Sequence, residues 1–202
     1  NNFDYVETIT FDYGQKHKVE IEQAEKIAKL LNVKNSVLNI NAFSQLNDSA
    51  LINSDLDISS SHSTKKNLPA SFVPNRNAIF FTLAHAFAQK QDIDNIIIGV
   101  NQTDYSGYPD CRKNTIDAMQ LSLSLGLGNN DMRIHTPLMY LTKAETWKLA
   151  KELNCLDVII NDTLTDYNGS EIMNEWGKGF NNNPSTDLRV KGFYEAKKNN
   201  WI

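Results

Sequence analysis

Segments typical of β-strands alternate along this chain with segments typical of α-helices, and this order restricts the possible folds more than any other feature of the sequence. β-Branched and other apolar residues predict strands at residues 8–11, 35–40 and 96–98. Apolar residues at helical spacing predict helices at residues 20–31 and 78–90. Such a succession favours an α/β fold with an open parallel sheet, right-handed crossovers and helices on both faces.

The length of 202 residues and the hydrophobic content of 41% suit one compact domain with a proper core. We expect this α/β domain to cover residues 1–165. Residues 166–202 are expected to form a small irregular tail, because Asn, Gly and Lys dominate there and Pro184 follows three asparagines. The residues 44–66, rich in Ser, Asn and Asp, predict a mobile surface excursion or, alternatively, a lid over a ligand.

Charge, hydropathy and cysteine content indicate which partners and which cellular compartment suit this chain. The formal net charge of −4 gives no general electrostatic reason to bind nucleic acid or an anionic membrane. The sequence contains neither an apolar run long enough to span a bilayer nor an export signal. Its two cysteines, Cys111 and Cys155, are typical of reduced thiols. The sequence therefore predicts a cytoplasmic protein that binds neither nucleic acid nor membrane.

A proline turn stands directly before the helix predicted at residues 78–90. It places Arg76, Asn77 and the free backbone N–H groups of the helix start where an anion could dock. The guanidinium fork of Arg76 matches the geometry of phosphate. The alternative is that Arg76 closes a surface salt bridge beside a capped helix.

A long loop over residues 99–112, packed with hydrogen-bonding and aromatic side chains, follows the strand predicted at 96–98. Its carboxylates could accept hydrogen bonds from a guanine-like amidine face, its tyrosines could stack on a planar ring, and its arginine could pair with a carboxylate. The alternative is a turn whose aromatic rings are merely packed. The candidate substrate-binding residues are Asp104, Tyr105, Tyr108, Asp110 and Arg112.

Thr142 and Glu145 have the spacing of a capping box and predict that a helix begins at residue 143. Lys143 then lies in the first turn, where a positive charge opposes the helix dipole. A nearby phosphate or carboxylate would explain its position.

Five segments together resemble the 7-cyano-7-deazaguanine synthase family in sequence, order and spacing. The resemblance runs from about residue 8 to residue 189, and its most specific part is the decapeptide that ends in Cys111-Arg112. It implies the fold of the PP-loop ATP pyrophosphatase superfamily, which is Rossmann-like and similar to the adenine nucleotide alpha hydrolases. The segments are Thr-Phe-Asp-Tyr-Gly-Gln (10–15), Phe-Val-Pro-Asn-Arg-Asn (72–77), Thr-Asp-Tyr-Ser-Gly-Tyr-Pro-Asp-Cys-Arg (103–112), His-Thr-Pro-Leu-Met (135–139) and Lys-Ala-Glu-Thr-Trp (143–147).

The resemblance implies a carbon–nitrogen ligase of queuosine-type 7-deazapurine biosynthesis that uses ATP and Mg²⁺. ATP would adenylate 7-carboxy-7-deazaguanine, ammonia would displace AMP to give an amide, and a second ATP would activate that amide so that loss of AMP leaves the nitrile. The same resemblance suggests a homodimer.

The residue roles implied by the resemblance fall into three groups. Asn75 stands where the family has Gly, a change that a positive φ would tolerate because Asn adopts that conformation more readily than most residues. The ATP-binding group is Thr10, Phe11, Tyr13, Gln15, Arg76 and Asn77; the substrate-binding group is Asp104, Tyr105, Tyr108, Asp110 and Arg112; the catalytic group is Arg76, Lys143 and Arg112.

Two departures from the family accompany these matches. The family opens with a strand and a Ser-Gly-Gly-x-Asp-Ser phosphate loop, which this sequence lacks. Because the sequence also has no initiator Met and opens at a strand, we expect a fragment of a longer protein; the alternative is a chain that holds ATP phosphates in another way.

The second departure concerns the four cysteines with which the family binds zinc. Their places are taken by Asp166, Phe180, Asn183 and Thr186. Structural zinc prefers thiolate and imidazole, so we expect no zinc at this site. The segment 166–189 should then be looser, unless the side chains Trp176, Phe180 and Phe193 pack it.

Two other functions remain open at the level of sequence. A diverged paralogue could join a deazaguanine carboxylate to another amine, and the altered tail residues fit such divergence. A non-catalytic module could instead recognise a deazapurine or a partner protein.

Overall fold

A computed structural model describes residues 3–15, 18–42, 72–102, 108–128, 131–166, 168–180 and 183–202 of the chain. The segment 44–66 and the residues Asp104 and Tyr105, for which the sequence makes predictions, lie outside these ranges. The chain divides into two compact units, residues 1–72 with 143–202 and residues 73–142.

The described elements alternate between strands and helices for most of the chain. In chain order they are β1 (Glu7–Asp12), α1 (Val19–Leu30), β2 (Lys34–Asn39), α2 (Arg76–Lys90), β3 (Asn95–Ile97), a 3₁₀ turn (Pro109–Cys111), α3 (Lys113–Leu127), β4 (Arg133–His135), α4 (Lys143–Glu152), α5 (Leu156–Asp162), β5 (Met173–Asn174), β6 (Gly177–Lys178) and α6 (Pro184–Lys198).

The first unit begins with a β–α–β arrangement. Strands β1 and β2 pair in parallel, with Glu7 opposite Lys34 and Asp12 opposite Asn39. Helix α1 connects them and turns Ile21 and Ala28 inward. A parallel pair requires a crossover connection of this length, and the apolar spacing of α1 supplies the buried face.

The rest of the first unit packs α4 and α6 around aromatic side chains. Trp147 on α4 and Phe193 on α6 meet edge to face, with ring centroids 5.1 Å apart. Trp176, in the turn of the antiparallel β5–β6 hairpin, joins the same buried cluster. Trp176 and Phe193 therefore pack the tail, which is the alternative to a looser tail that the sequence left open.

The second unit pairs β3 in parallel with β4, with Ile96 opposite Ile134. Its core is formed by Phe81 on α2, Ile116 on α3 and Met139. All three side chains are nearly inaccessible to solvent, so the helices on either side of β3 bury their apolar faces in this core.

The predicted α/β class is confirmed, because parallel strand pairs connected by helices recur along the chain. The tail is more regular than its composition indicates. Pro184 occupies the first position of α6, where its missing N–H costs nothing, and the Asn183 side chain caps the helix. Among the described helices, none is long and apolar enough to cross a membrane.

Candidate active site

The turn that follows β1 is shaped by the side chain of Gln15. Its Oε1 accepts a hydrogen bond from the Tyr13 backbone N–H at 2.9 Å, and its Nε2 donates to the Phe11 carbonyl at 3.2 Å. Gln15 is only 7% exposed, and Gly14 supplies the positive φ of 82° that the turn needs. Gln15 thus fixes the backbone at the carboxyl end of β1.

Asp12 closes the same turn on its outer side. The Lys18 ammonium lies 3.1 Å from Oδ2, and the Gly14 backbone N–H donates to Oδ1 at 3.3 Å. The hydrogen bond from Lys18, followed by that from Gly14, holds the pKa of the Asp12 carboxyl below its usual value. Thr10, on the same strand, donates its hydroxyl hydrogen to Asn35 Oδ1 on β2 at 3.0 Å.

The start of α2 has the backbone conformation that the sequence required. Asn75 precedes the helix with φ 57°, which confirms that Asn can stand here in place of Gly. Arg76 is the first helical residue, and its guanidinium carbon lies 6.0 Å from the ring centroid of Phe80. This cation–π contact holds a half-buried positive charge at a helix N-terminus.

Asp110 connects the start of α2 to the loop that follows β3. Its Oδ2 accepts a hydrogen bond from the Asn77 backbone N–H at 3.1 Å, and both residues are buried. The Asn77 side-chain amide donates to Cys111 Sγ at 3.1 Å. Residues from two predicted site motifs are therefore joined by hydrogen bonds, and a carboxylate satisfies an otherwise unpaired N–H of the helix start.

Asn101 was not assigned a role from the sequence, although it lies in the segment that follows β3, where ligand-binding residues collect in open parallel sheets. Its buried amide donates to the carbonyls of Leu138 at 2.8 Å and Leu141 at 2.6 Å. The neighbouring Gln102 accepts a hydrogen bond from the Lys113 backbone N–H at 2.9 Å. Together the two residues hold the first end of the candidate substrate loop.

The remaining described candidates lie at helix starts. Arg112 is exposed and immediately precedes α3, while the half-buried Tyr108 precedes the 3₁₀ turn. Lys143 is the first residue of α4, as the capping-box spacing predicted. Gly192 on α6 lies so close to Lys143 that an added Cβ would fall 2.4 Å from the Lys143 Cβ.

The four residues that replace the family's cysteines lie together in the tail. The Asp166 carboxylate accepts hydrogen bonds from the Phe180 backbone N–H and from the Asn183 side chain, and Thr186 bonds the Phe180 carbonyl. Trp176 and Phe193 are buried nearby, but the Phe180 side chain is 54% exposed. Of the three side chains offered by the sequence as an alternative to a looser tail, Phe180 does not pack: its backbone makes these contacts, and its ring is exposed.

Parallel strand pairs joined by helices, with polar side chains fixing the turns at the strand ends, are typical of a Rossmann-like α/β protein. The profile of the family described as queuosine biosynthesis protein QueC matches residues 1–197. The chain belongs to this family.

Bacterial relatives named 7-cyano-7-deazaguanine synthase include proteins from three genera. The one from Wolinella succinogenes is 47% identical over 196 residues, which are 96% of this chain and 84% of the relative. The one from Helicobacter pylori is 45% identical over 193 residues, 95% of this chain and 85% of the relative. The one from Staphylococcus haemolyticus is 44% identical over 199 residues, 97% and 85% respectively. The family predicted from the motifs is confirmed.

Proposed function

We propose that this chain makes 7-cyano-7-deazaguanine from 7-carboxy-7-deazaguanine, ammonia and ATP. The observation that carries the proposal is the identity of 44–47% to synthases of that name over at least 93% of the chain. The buried Asp110–Asn77 junction supports it, because the two motifs that the resemblance assigns to substrate and ATP meet there.

The proposed reaction proceeds through two adenylations. A carboxylate oxygen attacks the α-phosphorus of ATP, pyrophosphate leaves, and ammonia then displaces AMP from the acyl carbon and loses a proton to give the amide. The amide oxygen attacks a second ATP, pyrophosphate leaves again, and cleavage of the C–O bond with loss of both N–H protons gives the nitrile and a second AMP. Both oxygens of the original carboxylate leave with AMP.

We assign the substrate end of the site to the loop that ends at Arg112. The Asn77 backbone N–H donates to Oδ2 of the Asp110 carboxylate, and Oδ1 would accept from the amidine edge of the deazaguanine. The exposed Arg112 would pair with the substrate carboxylate, and Tyr108 would stack on the ring.

We assign two groups of residues to the nucleotide, one group in each unit. In the first unit, the backbone turn that Gln15 fixes would contact ATP, together with Thr10, Phe11 and Tyr13. In the second unit, Arg76 and Asn77 at the start of α2 would face phosphate, because a helix N-terminus and a guanidinium both favour anions. Lys143, at the start of α4, would stabilise charge on the activated group.

Mg²⁺, ammonia, the homodimer and the cytoplasmic location stay predictions. Within the described ranges, no group of three or more His, Cys, Asp or Glu residues is arranged to hold a metal. We propose that Mg²⁺ binds the phosphates of ATP, where this ion commonly has few protein ligands.

The test is mass spectrometry of the products formed by the full-length protein from 7-carboxy-7-deazaguanine, ammonium, ATP and Mg²⁺. The nitrile is the expected product. An amide that is not converted to the nitrile would favour a diverged ligase. Unchanged substrate, with a protein that is folded, would contradict catalysis.

A matched pair of variants adds specificity to this experiment. Arg112→Met should lower the rate of product formation by roughly 10-fold or more, because a charge-assisted pair with the substrate is lost. Lys151→Met removes an exposed cation from α4 and should leave the rate unchanged. Equal rates for the two variants would remove Arg112 from the site.

A further inference from the structure

A buried carboxylate lies at the centre of the tail segment where the resemblance places the family's zinc ion. Asp166 is only 2% exposed. Its Oδ1 accepts hydrogen bonds from the Asn168 backbone N–H and from Asn183 Nδ2, each at 2.8 Å. Its Oδ2 accepts from the Phe180 backbone N–H at 2.9 Å. Three donors thus converge on one side chain, which compensates for the cost of burying it.

Asn183 extends this centre to the start of α6. While its Nδ2 donates to Asp166, its Oδ1 accepts from the Thr186 backbone N–H at 3.1 Å and from Ser185 Oγ at 2.6 Å. The Asn183 side chain therefore caps the helix with its oxygen and donates a hydrogen bond to the carboxylate with its nitrogen.

Thr186 closes the other side of the cluster and is fully buried. Its Oγ1 lies 3.0 Å from the carbonyl oxygens of both Phe180 and Asn183, within donating distance of each. An added Cβ on Gly179 would fall 3.2 Å from Thr186 Cγ2 and 3.3 Å from Asp166 Cβ. The cluster is therefore packed tightly as well as hydrogen-bonded.

The donor set does not fit a structural zinc ion, which takes four ligands that are mostly thiolate or imidazole. Phe180 has no ligand atom in its side chain. Asn183 directs an N–H group, rather than a lone pair, at Asp166. Thr186 contributes a neutral hydroxyl, so the four positions supply a single anion, Asp166.

We infer that the Asp166 carboxylate takes over the structural role of the zinc ion and connects the segments of the tail. In a zinc site a cation joins anionic ligands; in this chain an anion joins N–H donors. Asp166 connects Asn168, Phe180 and the start of α6. The tail is consequently stable without metal, and this inference does not depend on the reaction that the protein catalyses.

The first test uses the unmodified protein. We expect purified protein to contain well below one zinc per chain, and its melting temperature to be the same before and after dialysis against a strong chelator and after addition of zinc. One zinc per chain, together with a melting temperature that falls on chelation, would overturn the inference.

The second test compares two isosteric substitutions. Asp166→Asn keeps one acceptor oxygen but turns an NH₂ group toward a backbone donor, so the melting temperature should fall by about 5–10 °C. Asp187→Asn, at an exposed position in the first turn of α6, should lower it by less than about 3 °C.

Equal melting temperatures for the Asp166→Asn and Asp187→Asn variants would overturn the inference. If Asp166→Asn does not fold, Asn183→Ala takes its place, because it removes one of the three donors and leaves Asp166 intact. A melting temperature unchanged by Asn183→Ala would equally count against the proposed centre.

Discussion

The carboxylate of Asp110 accepts a hydrogen bond from the Asn77 backbone N–H at 3.1 Å, across 33 residues of sequence. Asn75 precedes this helix start in the left-handed conformation, and its side chain accepts no capping hydrogen bond. Asp110 therefore supplies from a distance the acceptor that a local capping residue usually provides. The Asp110 side chain thus both caps the start of α2 and connects it to the proposed substrate loop.

Two substitutions of Asp110 separate these roles. Asp110→Asn keeps an oxygen that can accept from Asn77, so the free energy of unfolding should change by less than about 0.5 kcal/mol. The value of kcat/KM for the deazaguanine carboxylate should nevertheless fall by roughly 10- to 100-fold, because a charge-assisted contact is lost.

Asp110→Ala removes the cap as well and should lower the free energy of unfolding by about 1 kcal/mol. Urea titration and steady-state kinetics measure the two effects. Normal kinetics for Asp110→Asn would show that Asp110 serves only the helix.

The turn after β1 should depend on both ends of the Gln15 amide. Gln15→Ala loses two hydrogen bonds and should lower the free energy of unfolding by about 1–2 kcal/mol. Gln15→Glu keeps the acceptor for Tyr13 but places an oxygen against the Phe11 carbonyl. Both variants should raise the KM for ATP more than they change kcat, since the proposed role of the turn is to bind the nucleotide.

Gln89 provides the control for this comparison because it is an exposed glutamine on α2. Gln89→Ala should leave both the stability and the KM for ATP unchanged. If Gln15→Ala and Gln89→Ala behave alike, the turn does not contribute to ATP binding.

Two glycines in helices should respond oppositely to alanine. At Gly192 the new Cβ would lie 2.4 Å from the Lys143 Cβ and 2.9 Å from its carbonyl carbon, so α4 and α6 must separate. Gly192→Ala should cost about 1–3 kcal/mol of unfolding free energy. At Gly126 on α3 nothing lies within 4 Å, and Gly126→Ala should stabilise the protein by about 0.5–1 kcal/mol.

The experiment is urea unfolding of the two variants beside the unmodified protein. Because Lys143 moves with the separation of α4 and α6, Gly192→Ala should also lower kcat. A stabilised Gly192→Ala variant would contradict the close approach of these helices.

Stability should fall in mild acid because of His85. The side chain is buried in α2, and burial lowers the pKa of its imidazole below the ordinary value of 6.5. The unfolded chain therefore takes up a proton at a higher pH than the folded chain. The stabilisation from neutral His85 is complete above pH 6.5 and is lost as the pH falls through the lower folded pKa.

The measurement compares the free energy of unfolding at pH 7.5 and at pH 5. The unmodified protein should lose more stability over this interval than His85→Leu, in which the titrating group is absent. Equal losses would show that His85 does not account for the acid sensitivity.

The sequence predicts the elements of this fold well because their signals are local. Apolar spacing located the strand at Glu7–Asp12 and the helix at Arg76–Lys90 to within one or two residues at each end. The left-handed conformation of Asn75 also follows from residue type, since few side chains tolerate it.

Contacts between distant residues could not be predicted in the same way. The hydrogen bond between Asp110 and Asn77 has no periodic pattern in the sequence that would predict it. The same holds for the hydrogen bonds from Asn101 to the carbonyls of Leu138 and Leu141. In the tail, the apolar ring of Phe180 suggested a packing role, but the ring is exposed and the Phe180 backbone N–H donates to the distant Asp166 carboxylate.

The central claim is that both oxygens of the substrate carboxylate leave through adenylation. The decisive measurement supplies 7-carboxy-7-deazaguanine labelled with ¹⁸O in its carboxylate, together with ATP and ammonium, and analyses the nucleotide products by mass spectrometry. We predict that each AMP carries one ¹⁸O atom, that pyrophosphate carries none, and that two AMP form per nitrile. Unlabelled AMP, or ADP with labelled phosphate, would contradict the proposed reaction.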